Sequence, residues 1–104
     1  MPREYDKLVR DRTPEPVEDD GERPVVHTAD GSEYSRRLAE KLVGEATEFR
    51  ESGAPEELAD VLEVVHALRG VLELSESDLQ RLRAQTAERR SRFERGVALE
   101  RVEE

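Results

Sequence analysis

The sequence predicts a mainly α protein: an antiparallel helical hairpin plus a third helix, with a minor two-stranded β ribbon, assembled as an oligomeric helical bundle. Three observations lead there. Apolar residues recur at spacings of three and four along Tyr34–Phe49 and again along Leu58–Leu72, the period of one helical face. Ser52-Gly53-Ala54-Pro55 separates the two stretches with a helix stop followed by a helix start. Of the 104 residues only 35% are hydrophobic and 41% are charged, so a single chain has little to bury and gains from a partner subunit.

In chain order, residues 1–31 form a basic arm, a loop and a short strand within one domain spanning 1–104. Arg3, Lys7, Arg10 and Arg12 cluster in a chain of net charge −9, with Leu8-Val9 as the aliphatic anchor of the segment. Thr13-Pro14-Glu15 reads as a helix start, with Thr13 as N-cap, and Pro16 argues against a long helix. Pro24–Ala29 is rich in β-branched residues and ends in the turn signal Asp30-Gly31, predicting a strand. Residues 32–93 are the helical core. Ser32 is the expected N-cap of the first long helix and Gly53 its C-terminal stop. Pro55 opens the second, and Ser75 or Ser77 caps the third, on which Leu79, Leu82 and Ala87 are expected to face inwards. Residues 97–102 are half apolar and the only partner available to the first strand.

The net charge of −9 argues against a nucleic-acid polymer as ligand, and a third reading based on the arginines between Arg81 and Arg92 is poor for that reason. A metal-complexed anion remains compatible, because the cation supplies positive charge. Without cysteine there is no thiolate zinc site, disulfide or thiol chemistry. No apolar run approaches a membrane span or signal-peptide core, so a cytoplasmic location away from membranes is expected.

The chemistry-bearing stretch is Gly44–Glu63. Glu45 and Glu48 are one turn apart on the first long helix, and Glu57 and Asp60 on the second. In an antiparallel hairpin, residues equidistant from the turn stand at equal height. A mirror point at Ser52-Gly53 puts Glu48 opposite Glu57 and Glu45 opposite Asp60. Moving it to Ala54 pairs Glu48 with Asp60 and Glu45 with Glu63 instead, so Glu57 and Glu63 compete for the last place. Converging carboxylates suit a hard cation, Mg²⁺, Ca²⁺ or Mn²⁺. A solvated acidic face accounts for the spacing equally well in a chain with 26 acids. Two features favour the cation: these acids border the apolar stripe, and no basic residue is placed to neutralise both members of a pair.

Glu-x-x-Glu, a helical turn, then Glu-x-x-Asp followed by two aliphatic residues resembles the all-α nucleoside triphosphate pyrophosphatases, which include MazG-like proteins and phosphoribosyl-ATP pyrophosphohydrolases. The segments TyrAspLysLeuValArgAsp (5–11), LysLeuValGlyGluAlaThrGlu (41–48) and GluGluLeuAlaAspValLeuGlu (56–63) extend the likeness over most of the chain. It implies Mg²⁺ at Glu45, Glu48, Glu57 and Asp60, and a helical homodimer or homotetramer. The implied reaction cleaves a nucleotide between its α- and β-phosphates, giving the monophosphate and pyrophosphate. Mn²⁺ is the alternative ion. The chain departs from the family at Gly44, where an acid is usual, in a shorter gap between the acid pairs, and at Thr13, where an aliphatic residue is expected.

Glu48 is the expected general base. Lys7, Arg10, Arg12 and Lys41 are the expected phosphate contacts, Lys41 being equally suited to an i,i+4 ion pair with Glu45. His27 and His66 lack a second histidine at ligand spacing and read as structural or surface residues; Tyr34 and Phe49 fit the helical core better than a base-stacking role. The reading from a different class is a non-catalytic helical module that binds a cation or a basic partner, favoured by Gly44.

Overall fold

The computed structural model describes residues 3–104; Met1 and Pro2, the start of the basic arm, lie outside the described residues. Four helices follow one another: α1 Pro14–Asp19, α2 Gly31–Ser52, α3 Pro55–Val71 and α4 Glu76–Arg90. No helix is long and apolar enough to cross a membrane among the described residues. Helices α2 and α3 form the antiparallel hairpin, and no other pair of helices is in comparable contact.

The hairpin closes where the sequence places it. Gly53 takes the left-handed conformation, φ 66°, and donates its N–H to Phe49 O at 2.7 Å, ending α2. Only glycine enters that region freely. Pro55 then starts α3, where its missing N–H would have had no partner. Leu38 of α2 and Val64 of α3 are the buried apolar residues of the seam, with Leu42, Phe49, Val61 and Leu68 half-buried around them. That is a small core. The Cα radius of gyration is 18.4 Å, against about 13 Å for a compact domain of this length.

Several expectations need correction. The β ribbon does not form: residues 24–29 and 97–102 carry no strand pairing, and Val25, Val26, Val97, Leu99 and Val102 are exposed. A lone two-stranded ribbon is marginal in water and here has no helix face to cover it, while Pro24 also removes a ladder donor. The helical core ends at Arg90 rather than 93, because Ser91 leaves the helix at φ 63°. Of the apolar residues expected to face inwards from α4, Leu79 and Ala87 are half-buried and Leu82 is exposed, so its face does not build a core with the hairpin. Its start is well specified, since Ser75 and Asp78 form a reciprocal capping box. Helix α2 begins two residues early, with Asp30 rather than Ser32 at the N-cap position. Thr13 is helical in conformation and makes no side-chain capping bond, while Pro16 sits in the first turn of α1, where its missing N–H breaks no helical bond.

Candidate metal centre

Three carboxylates converge across the hairpin. One oxygen from each of Glu45, Glu57 and Asp60 lies within 4.8 Å of the others. Glu45 projects from the middle of α2, Glu57 stands in the first turn of α3, and Asp60 follows one turn later. The Ser52-Gly53 mirror point expects Glu45 with Asp60, which the cluster contains, but it also expects Glu48 beside Glu57, and Glu48 is not among the three converging oxygens. Glu63 is outside the cluster.

Burial distinguishes Glu45 from an ordinary surface acid. It is 8% exposed, and its Oε2 is a buried oxygen with no hydrogen-bond partner. The other oxygen, Oε1, lies 3.1 Å from Lys41 Nζ. A buried carboxylate oxygen without a donor is costly and rare, and a cation is one way to satisfy it. The donor set is all oxygen, which fits a hard divalent cation.

Glu48 is exposed on the next turn of α2 and does not share the three-oxygen cluster. Repulsion by Glu45, and secondarily by Glu57 across the hairpin, raises the carboxyl of Glu48 above its ordinary value. Glu48 therefore holds a proton more readily than a free glutamate.

The expected phosphate contacts divide into three groups. Lys7 and Lys41 line a cleft of about 140 Å³ together with Gly44, Glu45 and Glu48. Arg10 lies on the acids themselves, with Nη2 2.8 Å from Asp60 Oδ1 and Nη1 3.8 Å from Glu63 Oε1. Arg12 is not brought to the site: it makes a bidentate pair with Glu15 at 3.0 and 3.1 Å. Of the histidines, His27 pairs with Glu33 at 2.7 Å and His66 with Arg69 at 2.7 Å, both away from the cluster.

One residue of the site escaped sequence reasoning. Arg37 tethers the arm, donating to Asp6 Oδ1 at 2.9 Å and to Asp6 O at 3.1 Å, while its Nε donates to Glu33 at 2.8 Å. Its side chain is largely buried. Arg37 stands four residues before Lys41 and eight before Glu45, so the spacing already placed it on the cleft face. No protein-family model, curated protein or solved structure matches the chain.

Proposed function

We propose that the chain is a Mg²⁺-dependent nucleotide pyrophosphohydrolase of the all-α nucleoside triphosphate pyrophosphatase type. In this reading it cleaves a nucleoside triphosphate or phosphoribosyl-ATP between the α- and β-phosphates. The observation that carries the reading is Glu45, a buried carboxylate with an unpartnered Oε2 that shares a three-carboxylate cluster with Glu57 and Asp60.

Glu45, Glu57 and Asp60 would hold the ion, and a bound Mg²⁺ neutralises phosphate oxygens during attack by water. Glu48 borders the cluster without belonging to it, and its raised affinity for protons suits a group that orients a water and accepts its proton. Lys7 and Lys41 line the adjoining cleft and supply positive charge to the leaving pyrophosphate. Mn²⁺ can replace Mg²⁺ on the same oxygens.

The reading includes a homodimer or homotetramer working in the cytoplasm. Val43 and Leu62 are each two residues from an acid of the cluster, about 200° around their helices. They are 67% and 64% exposed, and Leu58 is exposed beside them. A shallow groove of about 360 Å³ along Leu42, Val43 and Ala46 adds to that apolar side. A second copy of the hairpin covers it.

The test is pyrophosphate release from a panel of nucleotides, phosphoribosyl-ATP included, with Mg²⁺ and with a chelator. Metal-dependent release from at least one nucleotide is expected; no release from any of them ends the enzyme reading. The alternative, a non-catalytic cation-binding module, has Gly44 in its favour. It binds Mg²⁺ in calorimetry without Mg²⁺-dependent affinity for nucleotides.

A further inference from the structure

We propose that Arg10 is a tethered cation that closes the metal-free acidic cluster and is displaced when a divalent ion binds. The inference rests on the metal reading of Glu45, Glu57 and Asp60 and concerns what occupies Asp60 before the ion does.

The basic arm reaches the hairpin at two points. Asp6 is held by the largely buried Arg37 of α2, and four residues later Arg10 reaches Asp60 and Glu63 of α3. The first contact fixes the arm at the cleft, so the Arg10 guanidinium is presented to Asp60 at high local concentration. Asp60 is also one of the three carboxylates whose oxygens converge. Its charge is therefore wanted by two cations of the same sign. A divalent ion must approach a carboxylate oxygen to about 2.0–2.6 Å, which puts it only a few ångströms from a guanidinium at 2.8 Å from the same group.

The two contacts differ in permanence. The Arg10 side chain is 61% exposed, and an exposed ion pair is weak. Glu45 is the opposite: buried, with an oxygen that has no hydrogen-bond partner among the described residues. Arg10 pairs with Asp60 and Glu63 and not with Glu45, so a divalent ion held by all three carboxylates gains contacts that Arg10 does not make. Displacement sets Arg10 free beside Lys7 at the mouth of the cleft, where a metal-bound polyphosphate would present its oxygens. The arm then acts in sequence: it screens the acids first and serves the anion after the ion has bound.

The experiment is Mn²⁺ titration of the full chain by calorimetry, with trypsin cleavage after Lys7 followed in parallel. Arg10→Gln should bind Mn²⁺ about two- to fivefold more tightly than the parent, the range set by loss of an exposed competing pair. Asp6→Ala should shift affinity in the same direction without touching any acid of the cluster, because it loosens the tether and places Ala at φ 41°. Mn²⁺ should speed cleavage after Lys7 in the parent, whereas Arg10→Gln should be cut quickly with or without the ion. Equal or weaker Mn²⁺ binding by Arg10→Gln makes Arg10 a supporting residue and overturns the proposal, as does cleavage after Lys7 that ignores Mn²⁺ in a parent that binds it. Absence of Mn²⁺ binding in parent and variants alike overturns the metal reading itself.

Discussion

Lys41 Nζ lies 3.1 Å from Oε1 of Glu45, one helical turn away, and leaves the buried Oε2 of the same carboxylate without a partner. One ammonium group thus pairs with one oxygen of Glu45, while the carboxylate as a whole clusters with Glu57 and Asp60. An ion pair of this kind holds a ligand in place without filling the site. Glu45→Gln preserves the shape of the side chain and removes its charge. It should weaken Mn²⁺ binding about tenfold or more, since affinity at oxygen sites follows the charge of the ligand set. Glu63→Gln, at a residue outside the three converging oxygens, should change it by less than about twofold. Calorimetric titration of both variants checks the contrast, and equal losses would return Glu63 to the site.

Glu48 gives a pH signature. Its folded-state carboxyl is raised by Glu45 first and then Glu57, so the protonated form is the one the metal-free fold favours. Its stabilising contribution is fully present below the carboxyl's unfolded-state value and disappears as pH rises through the higher folded-state value. Glu48→Gln should therefore melt at a higher temperature than the parent at neutral pH, with the gap closing on acidification to about pH 4. Glu33 and Asp78 are shifted the other way, by His27 and Ser75 respectively, and lose their contribution as pH falls. Both are present in parent and variant, so they cancel in the comparison. Saturating Mg²⁺ should erase the gap at neutral pH, and under the proposed function, with Glu48 as the base, Glu48→Gln should lower turnover by about a hundredfold or more. Thermal melts across pH, with and without metal, read the first effect; pyrophosphate release reads the second.

Much of this geometry could be read in the residues, for identifiable reasons. Gly53 and Pro55 are strong local signals, and they locate the hairpin turn closely enough to bring Glu45, Glu57 and Asp60 together. The choice between Glu57 and Glu63 was not legible, because a shift of the mirror point by little more than one residue exchanges them. Arg10 and Asp60 are 50 residues apart, and no local rule links an arm to a helix across that distance. Val25-Val26 and Val97 carry strand propensity, but propensity is realised only against a surface to pack on, and all three side chains are exposed.

Gly44 tests how the site trades with stability. It lies in the middle of α2 with ordinary helical backbone, and a Cβ there would meet nothing within 4 Å. Gly44→Ala should stabilise the chain by about 0.5–1 kcal/mol, as expected for glycine replaced inside a helix. Gly70 also has open space but stands in the last turn of α3, where less helix remains to be ordered, so Gly70→Ala should stabilise less. Urea midpoints measured with the chelator present decide the ranking. A destabilised Gly44→Ala would mean that something packs on this surface, which the cleft beside Lys41 and Glu48 makes the first place to look.

The remaining prediction concerns what covers the side of the hairpin opposite the acids. Leu38 and Val64 are the buried apolar residues, while Val43, Leu58 and Leu62 stay exposed on helices whose spacing marks them as core-forming. The extended, sparsely buried chain leaves these apolar side chains uncovered, and under the proposed function a second copy would cover them. Two hairpins packed through these faces give a four-helix arrangement with the acidic clusters on its outer sides, so association and metal binding need not interfere. Light scattering should accordingly give twice or four times the 11.9 kDa chain mass. Leu62→Asp should shift the protein toward monomer and lower its melting temperature, because a charge at the centre of an apolar contact is left unpaired. Glu63→Gln, the neighbouring residue on the acid side, should leave the mass unchanged. A parent that is monomeric at every concentration would rule out self-association through this face.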